Sequence, residues 1–324
     1  MLPDSVQHFN AMSLFALIVA LLLEQIHPLS ASKYLHGWPQ AYVDYFQHHF
    51  NSGEYRHGKI AWWLAVLPLL LFVLLLTWGL SVIHPVFSLI FSILALYICM
   101  GFGRVSHGFT EIQQALRAGN LPAARALLAR LRGRSSGTFN DEEVARLTIE
   151  VSLVALHRHL FGVIVWFTVF SLLGLGGAAG AVLYRLALGL SMYWSEAQPR
   201  DELTEGRFGN FAQEMRARLE WLPIRLTAGT FAIVGNFEDT AYCWRSQASS
   251  WPERETGILL ASAAGASGIR LGMPIDGVLS DRPELGVGDK TGEAALQCAI
   301  RLARRSVVFM LVMLFMLTLA SLLG

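Results

Sequence analysis

Ile60-Ala-Trp-Trp-Leu-Ala-Val-Leu-Pro-Leu-Leu-Leu-Phe-Val-Leu-Leu-Leu-Thr-Trp-Gly-Leu-Ser-Val82 carries no charged residue. About 20 such residues, coiled as a helix, cross the hydrocarbon core of a bilayer. A helix also satisfies its own backbone polar groups there, where no water can. Immediately after it, Ile83-His84-Pro85 breaks the chain, and Val86 to Phe102 forms a second apolar run. A third, Val307 to Leu323, lies near the end of the 324-residue sequence.

Working outward, Leu160 to Leu190 is too long for one straight crossing and is interrupted by Gly174, Gly176, Gly177 and Gly180. This predicts a helical hairpin, 160–173 and 178–194. Its second arm carries Tyr184 and Arg185. An arginine at that depth must face the bundle interior or reach for a surface. Phe9 to Leu23 is a shorter apolar helix ending at Glu24. Trp221 to Gly235 and Gly257 to Gly272 are weaker, and are expected to be re-entrant or amphipathic.

Composition agrees. Hydrophobic residues make up 54% of the chain and charged residues 15%, with a mean hydropathy of +0.45. A soluble domain carries nearer a quarter charged residues. The expected fold class is all-α: a polytopic helical integral membrane protein of about six spans, with re-entrant or amphipathic helices and a cytoplasmic helical insert. The organisation reads as 1–102, N-terminal membrane helices with a cytoplasmic 24–59 loop; 103–159, the insert; and 160–324, a C-terminal membrane region with a terminal span.

Basic residues set the orientation. Arg104, Arg117, Arg125, Arg130, Arg132, Arg134, Arg146 and Arg158 mark the insert as cytoplasmic. Lys33, Arg56 and Lys59 fall on the same side. Arg301, Arg304 and Arg305 start the last span there too. Both termini are then expected outside the cytoplasm, in a multi-pass protein of a bacterial inner membrane. No cleaved secretory signal is expected at the start of the chain. Within the insert, Asn120 with Pro122 predicts one helix start, and Asn140 followed by Asp141, Glu142 and Glu143 predicts another.

Three motifs fail on inspection. Gly286-Val-Gly-Asp-Lys290-Thr291 has the wrong spacing for a phosphate loop, and no strand is expected before it. His157-x-His159 places two rings on different faces of a helix, and His48-His49 offers no metal spacing. Cys99, Cys243 and Cys298 lie far apart and read as packing residues. No metal ligands are expected. The arginines follow membrane topology, without the aromatic interleaving of a nucleic-acid surface.

Glu150 and Arg185 lie in or beside apolar stretches, where ionised groups need partners. They read either as a structural ion pair closing the bundle or as a polar ligand site near the cytoplasmic face. Arg225 and Arg270 could likewise hold an anionic group, with a lipid headgroup as the plain alternative.

Several segments together resemble a known family. They are Ala123-Ala-Arg-Ala-Leu-Leu-Ala-Arg130, Glu143-Val-Ala-Arg-Leu-Thr-Ile-Glu150, Tyr184-Arg185, Arg207-Phe-Gly209, Trp221-Leu-Pro-Ile-Arg225-Leu-Thr227, Trp251-Pro-Glu253 and Gly268-Ile-Arg-Leu-Gly272. Their order and spacing are similar to the CobD/CbiB membrane proteins of cobalamin biosynthesis, especially the AmpE-like branch. The resemblance implies a scaffold whose biosynthetic members join cobyric acid to an aminopropanol phosphate, using ATP and magnesium.

Polar runs of those members are missing. Leu186-Ala-Leu-Gly-Leu-Ser191 stands where an Asn-Thr-Leu-Asp-Ser run is expected. Met215-Arg-Ala-Arg-Leu-Glu220 replaces paired aspartates, and Val151-Ser-Leu-Val-Ala-Leu-His157 replaces an Asn-rich segment. An early Gly-Asp-Pro is absent, with Glu24 at a comparable acidic position. The expectation is therefore a non-catalytic, AmpE-like sensor or regulator that uses no cofactor and has no catalytic residue. Its ligand-binding residues would be Glu24, Glu150, His157, Tyr184, Arg185, Arg225 and Arg270. Its partners would be the lipid bilayer, a small anionic or cobamide-related ligand, and a membrane or cytoplasmic protein. The alternatives are a divergent adenosylcobinamide-phosphate synthase using Mg and ATP, and a transporter or lipid-binding module.

Overall fold

The structure is a computed structural model that describes residues 4–27, 33–51, 54–101, 103–133, 139–196, 208–275, 282–288 and 292–323. Thirteen helices are seen among them: α1 (Asp4–Ile26), α2 (Lys33–Phe50), α3 (Tyr55–Ile83), α4 (Pro85–Cys99), α5 (Gly103–Arg117), α6 (Leu121–Arg132), α7 (Asp141–Leu156), α8 (Gly162–Leu172), α9 (Gly177–Glu196), α10 (Asn210–Val234), α11 (Phe237–Ser246), α12 (Arg254–Ser267) and α13 (Gly292–Leu323). Two short strands, β1 (Leu271–Gly272) and β2 (Glu284–Leu285), pair antiparallel, with Leu271 opposite Leu285. The protein is a polytopic helical membrane protein. Three helical stretches, Tyr55–Ile83, Asp141–Leu172 and Gly292–Ser321, are long and apolar enough to cross a bilayer, and Ala11–Ile26 and Pro85–Cys99 are shorter apolar helices. Leu67, Leu71, Phe72, Leu75 and Trp78 of α3 are exposed, as side chains against lipid are.

The chain forms two compact units, interleaved in sequence. The first comprises Met1–Gly101, Gly162–Trp221 and Thr318–Gly324, and the second Phe102–Phe161 and Leu222–Leu317.

In the first unit, α8 and α9 form the expected hairpin. Gly176 takes a left-handed φ of 86° at its turn. Ala178, Ala179 and Ala181 are buried, and small residues let helix backbones approach closely. The approach is tightest at Gly180, where a Cβ would lie 2.2 Å from the carbonyl oxygen of Trp166. Further along, the Tyr184 ring occupies the space over Gly162. Tyr42 Oη donates to the Ala65 carbonyl at 2.7 Å, and Trp166 Nε1 donates to the Leu219 carbonyl at 3.0 Å.

In the second unit, α5, α6 and α7 pack around Ile112, Leu128, Phe139, Val144 and Leu147, joined by Ile275. Both expected starts are present. Asn120 caps α6 through the Ala123 amide. Asn140 caps α7 with a reciprocal box: its side chain accepts from the Glu143 amide at 2.8 Å, and the Glu143 carboxylate accepts from the Asn140 amide at 2.7 Å. Asn140→Ala is expected to lose about 1 kcal/mol, read as a lowered thermal midpoint in detergent. In the same unit, α12 is buried from Gly257 to Ala266. Its small residues admit α11, and a Cβ on Gly265 would lie 2.4 Å from the Asp239 carbonyl oxygen.

The structure departs from the sequence reading in three places. Trp221–Gly235 is no separate short segment. It is the second half of the 25-residue α10, which begins in polar sequence and continues through Pro223. Reading by apolarity cut that helix at its hydrophobic edge. The helix that enters the hairpin begins at Asp141 rather than Leu160, because α7 and α8 are continuous through a π-helical turn at His157–Phe161. Finally, a strand does precede Gly286, the two-residue β2. Asp289, Lys290 and Thr291 of that motif lie outside the described residues.

Candidate functional site

The second unit holds a buried ionic cluster beside the middle of α7. Glu150 is 6% exposed. A carboxylate so far from water must be hydrogen-bonded and paired. One oxygen, Oε1, accepts from the Gly272 amide at 2.8 Å. The other, Oε2, pairs with Nη2 of Arg282. Arg282 retains 12% side-chain exposure, and its guanidinium lies over the Trp251 ring, 5.2 Å from the centroid.

The backbone is bent to serve this contact. Gly272 and Met273 take consecutive left-handed φ values of 73° and 61°. Met273 has a side chain and pays a steric cost there, and such strain gathers at functional sites. Alanine could not stand at 272, because its Cβ would lie 1.9 Å from the Pro283 carbonyl oxygen. The Met273 amide donates to that same carbonyl at 3.1 Å. One turn before Glu150 on α7, Arg146 Nη1 reaches Met273 Sδ at 3.1 Å, and both Glu150 and Arg282 act on its charge.

A second polar point lies about two turns beyond Glu150 on the same continuous helix. His157 is 1% exposed. Its Nδ1 is 3.0 Å from Thr227 Oγ1, and that hydroxyl donates to the Pro223 carbonyl at 2.9 Å. With the hydroxyl proton so engaged, Nδ1 is the donor and Nε2 presents the lone pair. Nε2 has no hydrogen-bond partner among the described residues. The next residue, Arg158, pairs with Glu253 at 3.6 Å.

The seven residues singled out from sequence are divided between the two units. Glu24, Tyr184 and Arg185 belong to the first unit, where the Glu24 carboxylate and Cys99 lie within electrostatic reach of Arg185 and Tyr184 is fully buried. Glu150, His157, Arg225 and Arg270 belong to the second. The ion pair read between Glu150 and Arg185 is corrected: the cation on Glu150 is Arg282. Arg270 makes a surface contact instead of an inner one. It pairs with Glu284 at 3.3 Å and donates to the Gly288 carbonyl at 2.7 Å, bracing the two strands. Arg225 is partly buried and feels Arg254 and Glu255 of α12.

Sequence reasoning missed Arg282, Arg146 and Gly272 as site residues. Arg146 was recoverable, since it sits four positions before Glu150 on one helix face. All three cysteines are free and buried. At Cys243, on α11, burial and then the Asp239 carboxylate push the thiol above its ordinary value, as suits a packing residue.

Magnesium wants carboxylate oxygens beside a phosphate. Among the described residues, no three His, Cys, Asp or Glu side chains come together to hold a metal, and both oxygens of Glu150 are engaged. With two arginines beside it, this cluster does not fit a resident cation.

Comparison with known proteins adds a second line of evidence. Residues 14–303 match the family described as CobD/Cbib protein. The "Cobalamin biosynthesis protein CobD" of Stutzerimonas stutzeri (strain A1501) is 34% identical over 319 residues, covering 94% of this chain and 98% of that one. The protein of the same name from Chromobacterium violaceum is 32% identical over 233 residues, 71% of each chain. That from Citrobacter koseri is 27% identical over 246 residues, 71% of this chain and 72% of that one. No solved structure matches. These names overturn the non-catalytic, AmpE-like sensor reading. That reading rested on missing local runs of polar residues. A run absent at one place does not measure what the fold gathers from distant places, as it gathers Gly272 and Arg282 onto Glu150.

Proposed function

Because the chain belongs to the CobD/CbiB family, we propose that it is a divergent adenosylcobinamide-phosphate synthase, joining cobyric acid to an aminopropanol phosphate in an ATP-driven amide bond. The observation that carries this reading is the 34% identity to a cobalamin biosynthesis protein along 94% of the chain. A family resemblance over nearly the whole length brings the scaffold; the chemistry has to come from this chain's own site.

Amide formation from a carboxylate needs negative charge neutralised and the reacting groups held in register. The cluster at Glu150 supports the first requirement, with the guanidinium groups of Arg146 and Arg282 brought together and a donor of each left unused. His157 supports the second, offering a fixed acceptor for a hydroxyl or amine proton. In this reading Glu150 is a positioning residue: it holds Arg282 and touches no substrate. Magnesium would arrive with the nucleotide. The protein would lie in a bacterial inner membrane with both termini outside the cytoplasm. The Glu150 cluster would then open to the cytoplasm, where ATP is available.

The test is direct. Purified protein in detergent is given cobyric acid, the aminopropanol phosphate and Mg-ATP, and the product is followed by mass. Amide product is expected, and Glu150→Gln is expected to lower kcat/KM by about tenfold or more. Absence of product where an established synthase makes it would remove the reading.

A further inference from the structure

We propose that Arg146 and Arg282 form a binding site for a phosphoryl oxyanion. Three groups meet beside the middle of α7: the guanidinium of Arg146, that of Arg282 and the carboxylate of Glu150. Glu143 and Glu142 also act on Arg146, more weakly than Glu150, so what calls for an anion is the donors the two guanidinium groups leave unused rather than net charge. Arg146 Nε and Arg282 Nη1 are buried and have no hydrogen-bond partner among the described residues. Leaving such a donor unmade costs about 1–3 kcal/mol, and more for a charged group, so two at one place are a standing demand for an acceptor.

The chemistry of that acceptor follows from what surrounds it. Glu150 cannot supply it, since Oε1 is held by the Gly272 amide and Oε2 by Arg282 Nη2. Met273 gives Arg146 Nη1 only a thioether sulfur, a weak acceptor that an oxygen readily replaces. Arginine forks favour planar or tetrahedral oxyanions with several oxygens, which they bind through paired N–H groups. A phosphoryl group offers enough oxygens to meet both arginines at once. The strained Gly272–Met273 backbone keeps the site in this form before any ligand comes.

The assignment of that phosphoryl group to a substrate rests on the synthase reading; the site itself does not. Two sources share the chemistry: a phosphate ester in the cytoplasm and the headgroup of a lipid. Inorganic phosphate is therefore titrated first, against chloride at constant ionic strength, with thermal stability of the detergent-purified full chain as readout. Phosphate is expected to stabilise the protein, and Arg146→Gln to weaken its apparent affinity about tenfold or more. Arg146 is the first choice because no hydrogen bond ties it to Glu150, so its loss leaves the buried pair intact. Arg282→Lys, which keeps the charge but not the fork, is expected to weaken phosphate as well. Equal affinity in wild type and both variants overturns the site.

Aminopropanol phosphate and phosphatidylglycerol are then compared as competitors of inorganic phosphate. Displacement by the first supports the substrate assignment; displacement by the lipid alone overturns it. The two readings fail separately. Phosphate bound through Arg146 without amide product leaves the site and removes the synthase. Amide product with unchanged KM values in Arg146→Gln leaves the synthase and removes the site.

Discussion

Arg282→Met is expected to destabilise the protein by about 3–5 kcal/mol, because it leaves a carboxylate buried without its cation. Glu150 is only 6% exposed, and the Gly272 amide alone does not offset the loss of solvation. Glu150→Gln is expected to be milder: it removes the buried negative charge, and its one oxygen still accepts from either the Gly272 amide or Arg282, leaving the other donor against the NH2 group. The decisive variant is the double one. Glu150→Met with Arg282→Met removes both charges and is expected to be more stable than Arg282→Met alone, even though the Gly272 amide then lacks an acceptor at a cost of about 1–3 kcal/mol. Thermal unfolding in detergent, with Glu150→Met as the second single variant, gives the four midpoints of the cycle: wild type, the two single methionine variants and the double. If the two losses simply add, the charges are not coupled and the pair is not the centre described above.

The second large effect is expected at Gly180. A Cβ there meets the Trp166 backbone oxygen at 2.2 Å, and no rotamer relieves a clash with main chain. Gly180→Val should therefore force α8 and α9 apart and cost about 3 kcal/mol. Gly189 lies on the same helix, but nothing approaches within 4 Å of its Cβ position. Gly189→Ala is expected to be neutral or to stabilise by about 0.5–1 kcal/mol, since glycine is a poor helix former. The comparison separates close packing from helix propensity within one element. Equal effects at the two positions would show that α8 and α9 are not held by this contact.

Sequence carried much of the fold because the governing signals are local. Length and apolarity identify α3 and α13, and the glycines at 174, 176, 177 and 180 mark the turn and the close approach of the hairpin. Asn120 and Asn140 announce their helices through the amides they cap. The parts missed were those where local signals mislead. Pro223 and the polar residues before it hid the continuity of α10. The π-helical turn at His157–Phe161 let one helix run from polar into apolar sequence.

The site was harder to read for a different reason. Glu150 stood out as a lone carboxylate beside an apolar run, and that inference was sound. Its partner could not be read, because Arg282 lies 132 positions away in a loop with no periodicity. Arg185 was the more conspicuous cation and drew the pairing wrongly. The functional reading failed similarly: it searched for polar runs in particular segments, whereas the groups found here come from α7, the backbone of β1 and the residue before Pro283.

The hairpin and the ionic cluster differ in when a growing chain can make them. Every contact between Trp166 and Gly180 is available as soon as α9 has emerged, so the hairpin can form early, from neighbours in sequence. Glu150 must wait for Gly272, 122 positions later, and then for Arg282. During synthesis its carboxylate has only Arg146, one turn before it on the same helix, until the residues that hydrogen-bond it have been made. The arrangement thus withholds a finished second unit until almost the whole polypeptide has been translated.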